Sequence, residues 1–113
     1  MAIAVFRHGA QLNADYTPTA DTPAGTVIDR NGTAGITHLD IKADTLGAID
    51  AGSGNGVYEL TKASAATVFA LGDVVKSDSS GEAVATGGTG IVVGSAAAAS
   101  ANGDAVVWVI LNG

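Results

Sequence analysis

Glu59, Lys62 and Asp73 place an acid, a base and a second acid within GVYELTKASAATVFALGDVV, Gly56–Val75. Such a set does general acid–base chemistry only if the fold gathers the three groups around a substrate. On a strand, Glu59 shares a face with Val57, while Tyr58 and Leu60 take the other. Lys62 opens an alanine-rich connector, and Asp73 follows Gly72 at the head of a new β-branched run. The spacing predicts a seam between two β-halves, its charges holding a solvated edge and linker. His38 and Asp40 share one face of a strand, which suits a weak ion pair. A metal ion needs at least a third ligand, and nothing nominates one. Gly-x-Ser-x-Gly fails because Ala51 stands where the first glycine belongs. The glycine-rich stretches Gly52–Gly56 and Gly87–Gly94 lack the Gly-Lys-Ser/Thr ending of a phosphate loop and lead into strands, so they read as hairpin or bulge glycines. Asp29-Arg30-Asn31-Gly32 and Asp73, Asp78, Glu82 do not keep calcium-loop spacing. No catalytic, cofactor or metal site is predicted.

The elements that would position any site are β-strands. Sixteen glycines and two prolines punctuate 113 residues. Asn31, Asn55, Asn102 and Asn112 each precede glycine, a pair that tolerates the positive φ of tight hairpins. Between these marks lie short runs at Thr26–Asp29, Gly35–Thr37, Val57–Leu60, Asp73–Lys76, Ile91–Val93 and Ala105–Leu111. Their length and spacing suit an all-β barrel or sandwich. Ser95–Ala101 and Lys62–Thr67 are alanine-rich but short, and each reads as one helical turn or an extended loop. AGTVIDRNGTAGIT (Ala24–Thr37) and LGDVVKSDSSGEAVATGGTGIVV (Leu71–Val93) share a Gly-x-hydrophobic-hydrophobic start, a polar turn and a Gly-Ile strand start. The expectation is two similar β-units, 25–70 and 72–113, behind an extended N-terminal arm, 1–24, broken by Pro18 and Pro23.

The last run, DAVVWVIL, is apolar on both faces: Ala105, Val107, Val109 and Leu111 on one, Val106, Trp108 and Ile110 on the other. One face lines the interior. The other is covered by a loop, a neighbouring subunit or a larger partner, and a central strand of a two-layer sandwich covered by its own chain is favoured over an interface. Only five aromatics are available to a core of Val, Ile, Leu and Ala, which adds a reason to expect subunit contacts. A net charge of −6 disfavours general nucleic-acid binding. There are no cysteines to make disulfides or thiolate metal sites. No apolar stretch is long enough to span a membrane as a helix, and Met1–Phe6 lacks the basic start and long apolar core of a signal peptide.

DYTPTADTPAGTVI, GTAGIT, GVYELTKAS, LGDVVKSDSSGEA and GIVVGSAAAAS with NGDAVVWVILN follow one another from about Asp15 onward. In order and spacing they resemble a family of small phage and prophage capsid decoration, or cement, proteins, similar in role to the lambda-type head decoration protein. Thr61, Lys76-Ser77, Trp108 and Ile110 depart from the family pattern, and the last two make one face of the final strand more apolar. The resemblance implies a non-enzymatic protein without cofactor on the outer capsid surface of the virion, made in the bacterial cytoplasm. It implies a homotrimer whose partner is the major capsid protein. Phe6, Arg7 and Tyr16 are the candidate capsid contacts, and Val106, Trp108 and Ile110 the candidate oligomer interface. The rival reading is a tail, fibre or surface β-domain that recognises a glycan or host protein. A small hydrolase with carboxylate chemistry ranks behind both.

Overall fold

A computed structural model describes residues 4–9, 13–52, 54, 56–85 and 90–113. The readings that fall on Ile3, Ser53, Asn55 and residues 86–89 lie outside them. The described residues contain strands and no helix. Strands β1 (Ala4–Gly9), β2 (Asn13–Tyr16), β3 (Val27–Arg30), β4 (Thr33–Thr37), β5 (Gly47–Asp50), β6 (Gly56–Thr61), β7 (Val74–Ser77), β8 (Ala83–Val84), β9 (Val92–Ala96) and β10 (Val106–Leu111) build two sheets. Six strands run in the order β1-β6-β10-β9-β7-β8, and four in the order β2-β5-β4-β3. Each ladder is antiparallel. The sheets do not close into a barrel; the fold is a small all-β sandwich.

Turn chemistry explains much of the layout. Asn31 and Gly32 both take positive φ, 57° and 97°, and join β3 to β4 as the two-residue turn that matches strand twist. Alternation does the rest. Tyr58 and Leu60 on β6, and Val107, Val109 and Leu111 on β10, are at most 1% exposed. They meet Phe69, Val75 and Val93, together with Ala34 and Ile36 from the other sheet. Each such large side chain taken from water contributes about 1.5–3 kcal/mol.

One bonding scheme occurs twice. Thr22 and Ile41 exchange backbone hydrogen bonds of 2.8 Å; Phe69 and Ser100 exchange bonds of 2.9 and 2.8 Å. Gly25 N–H donates to Thr37 O, and Thr37 N–H to Thr26 O; Gly72 N–H donates to Ala96 O, and Ala96 N–H to Asp73 O. Asp44 N–H reaches Pro18 O at 2.8 Å, and Gly103 N–H reaches Ala65 O at 2.8 Å. Ile28 pairs with Gly35 and Val75 with Gly94, so Gly35 corresponds to Gly94 and not to Gly90. The strand order β2-β5-β4-β3 thus recurs as β6-β10-β9-β7, with β1 added outside β6 and β8 outside β7. The first set ends with β5 at Asp50 and the second begins with β6 at Gly56, whereas the sequence suggests a seam near Leu71. Side chains hid this boundary, because β5 (GAID) lacks the β-branched run that marks its counterpart β10.

The described residues of the N-terminal segment include two paired strands. β1 lies along β6, and β2 lies along β5. Ala4 is buried, and its N–H donates to Gly25 O at 2.9 Å. The alanine-rich segments form turns and strand: Thr67 N–H closes on Ser64 O, and Ser95 and Ala96 end β9.

Candidate functional site

The three charged residues that open the sequence question have separate jobs. Glu59 accepts a 2.9 Å ion pair from Arg7 at the surface. Lys62 is only 5% exposed, contrary to a solvated connector. Its ammonium donates to Ala65 O, Ser100 Oγ and Ala101 O at 3.1–3.3 Å, pinning two loops together. Asp73 accepts the Ala70 N–H at 2.8 Å and closes a turn. No acid–base set forms from them.

A buried polar chain does form, from residues that no motif singles out. Asp50 is 1% exposed on β5. It accepts the Gly52 N–H at 2.9 Å and the Tyr58 hydroxyl at 2.5 Å. That hydroxyl has spent its proton on Asp50, so it accepts from His38 Nε2–H at 2.5 Å. Burial first, and then the hydrogen bond and charge of Asp50, push the Tyr58 hydroxyl above the ordinary tyrosine range. It stays a donor and is no base. Phe6 packs its ring on both partners, 5.4 Å from Tyr58 and 5.8 Å from His38. The neighbouring cleft of about 190 Å³ is lined by Ala4, Phe6, Gly25, Thr37, His38 and Tyr58, small for a substrate. Asp40, expected beside His38, accepts the Ala24 N–H instead. Among the described residues no three His, Cys, Asp or Glu side chains gather as a metal site.

The outer face of the six-stranded sheet is a different surface. Val106, Trp108 and Ile110 stand on it half-buried, with Val57, Glu59 and Thr61 beside them on β6. Val5, Val74 and Val92 extend it as exposed apolar residues. A bulge in β1 between Phe6 and His8 gives that strand one extra residue, Arg7. The bulge re-aims consecutive side chains to one side. The Arg7 guanidinium sits 5.9 Å from the Trp108 ring centre, and the His8 ring 5.4 Å from it. The structure therefore joins Arg7, expected at the capsid, to Trp108, expected between subunits. Phe6 faces inward. Tyr16 lies half-buried on β2 of the other sheet, across from Gly47. Among the described residues the second layer of the sandwich does not cover Trp108; only Arg7 and His8, at the rim of the same sheet, pack on its ring.

The described residues thus combine an open apolar sheet face, rimmed by a few charges, with a buried core. The sequence model of the phage cement protein family matches residues 6–111, and the chain belongs to that family. It is a structural family of the phage capsid, which places the chain with the capsid of the virion and suggests no catalysis. No curated protein and no solved structure matches the chain.

Proposed function

We propose that the protein cements the head of a tailed phage or prophage: it binds the outer surface of the shell as a homotrimer and clamps neighbouring subunits of the major capsid protein. The observation that carries this reading is the uncovered face of β10, where Val106, Trp108 and Ile110 lie in a row beside Val57. Apolar side chains in a contiguous open patch mark an interaction surface, and a central aromatic ring flanked by arginine is the usual make-up of an energetic anchor. Val106, Trp108 and Ile110 meet the neighbouring copies. Arg7 at the rim and Tyr16 on the second sheet reach the coat, while Phe6 serves indirectly by holding β1 on Tyr58. Many modest contacts repeated over a shell add up through avidity, so no single deep pocket is needed. No cofactor, nucleic acid or membrane enters this role.

The test is sedimentation of the purified protein with expanded shells of the cognate coat protein, alongside its mass in solution. The expected result is a trimer that pellets with shells, and a Trp108→Asp variant that stays folded but is monomeric and remains in the supernatant. A wild-type protein that never pellets with cognate shells defeats the reading.

A further inference from the structure

A closed ring of three copies needs two different patches on each copy, because every contact joins one patch to another patch of the next copy. The face around Trp108 is one patch. The duplicated bonding scheme points to the second. Ile36 pairs with Asp50, and its counterpart Ser95 pairs with Ile110. Two residues back along each strand stand Ala48 and Trp108. Ile41 bonds to Thr22 as Ser100 bonds to Phe69, and Asp44 to Pro18 as Gly103 to Ala65. Leu39 and Leu46 therefore match Ala98 and Ala105. The bulk is exchanged between the halves: one has a large ring between small residues, the other a small residue between two leucines. Leu39 and Leu46 are both strongly exposed. Between them lies a groove of about 480 Å³, lined also by Asn13, Ile41, Gly47 and Ala48. Its lining belongs wholly to the first half, so Trp108 of the same copy does not fill it.

We infer that the groove between Leu39 and Leu46 is the second patch of the ring, and that its occupant is the Trp108 face of a second copy. The charges agree with this pairing. On the strands of the Trp108 face stand two bases, Arg7 and Lys76, and one acid, Glu59, with Asp104 on the loop beside the ring. Around the groove the balance is reversed: Asp15, Asp40 and Asp44 are exposed, and the one base, Lys42, already faces Asp21 at 3.8 Å. Apolar side chains on both patches supply the burial, and bases opposite acids fix the register. The contact rests on the trimer of the cement reading and names the surface that meets Val106, Trp108 and Ile110.

The experiment uses the full chain, which has no cysteine of its own. Val106→Cys and Leu46→Cys are made singly and together, and each protein is treated with a short bis-maleimide. Expected are covalent trimers from the double variant and none from either single variant. A double variant that stays unlinked overturns the inference, and so do oligomers linked by Leu46→Cys alone. Leu46→Asp should keep the wild-type circular dichroism and associate about tenfold or more weakly. Leu71→Asp, at another strongly exposed apolar position, should remain trimeric. The reverse pattern overturns the inference. A Leu46→Asp trimer that no longer pellets with shells gives the groove to the coat and overturns it too. A monomeric wild type refutes the contact, while pelleting still decides the cement reading. A linked trimer that ignores shells supports the contact and defeats the cement reading.

Discussion

The two halves of the molecule use the same backbone bonds and different side chains. β5 carries Gly47-Ala48-Ile49-Asp50 where β10 carries Val107-Trp108-Val109-Ile110. Ile49 and Val109, a matched pair, are both fully buried. Their neighbours have diverged. Asp50 turns inward to Tyr58, while its counterpart Ile110 stands on the open face. Ala48 is small and exposed, while Trp108 anchors the arginine of β1. Turns and backbone bonds keep the scaffold, and the side chains that the scaffold does not need are free to specialise. One half sends Asp50 and His38 inward to a polar brace on Tyr58 of the other, and that other half carries the open apolar face.

The strongest way to break this parallel is at the matched glycines. A Cβ on Gly94 would run into the Ile110 carbonyl, which is backbone, whereas a Cβ on Gly35 meets the Ile49 Cδ1 at 2.6 Å, the end of a flexible side chain. Gly94→Ala is expected to cost more than about 3 kcal/mol and Gly35→Ala about 1–2 kcal/mol. Urea midpoints for the pair check this, and equal losses would mean the halves do not differ at that point.

Next in size is the brace. Tyr58→Phe strips the buried Asp50 carboxylate of a donor and His38 of its acceptor, at a cost of about 2–4 kcal/mol. Its pH signature follows from the raised Tyr58 value. The folded protein keeps a phenolic proton that the unfolded chain releases near pH 10, so this contribution is whole below about pH 10 and fades as the pH climbs past it. Stability, read as the denaturation midpoint from about pH 9 to about pH 12, should fall less steeply in Tyr58→Phe than in wild type. Parallel slopes would remove the tyrosine from the account.

The matched loops give the third contrast. In the second half, buried Lys62 holds Ala65 and Ala101. In the first half, exposed Asp21 accepts the Ala43 N–H at 2.9 Å and faces Lys42 at 3.8 Å. Lys62→Met should cost about 1–3 kcal/mol and Asp21→Ala less than about 1 kcal/mol, read as melting midpoints. The smallest effect is at the rim. Arg7→Ala removes a pair whose side chains are 41% and 24% exposed, and is expected to change stability by no more than about 0.5 kcal/mol, vanishing in high salt. A large, salt-insensitive loss would show that Arg7 supports the fold itself.

How much of this was legible depended on whether a residue's fate is local. Asn31-Gly32 announced its hairpin because both φ values are an intrinsic preference. β6, β7 and β10 announced themselves through β-branched runs, and the two apolar faces of β10 pointed to Trp108 before any contact was known. β2 (NADY) and β5 (GAID) have poor strand propensity and exist because a partner strand lies alongside them. The Asp50–Tyr58–His38 chain was equally silent, since an aspartate reads as solvated until tertiary contacts bury it. Lys62 misled for the same reason. The bulge that sends Arg7 to Trp108 depends on pairing register, which no local pattern encodes.

The Asn–Gly pairs that shape the turns carry a consequence for chemical ageing. Asparagine before glycine cyclises when the glycine nitrogen attacks the side-chain carbonyl, and the product reopens largely as isoaspartate with an added charge. In each of the three pairs whose both members are described, that nitrogen is already committed: Gly32 N–H to Asp29 Oδ1 at 2.7 Å, Gly103 N–H to Ala65 O at 2.8 Å and Gly113 N–H to Ile110 O at 3.1 Å. At Asn112 the electrophile is tethered too, because its amide nitrogen donates to Ala34 O and Gly52 O. The fold thus shields these three bonds from deamidation, which suits a component of a particle that must persist for long periods without replacement or repair.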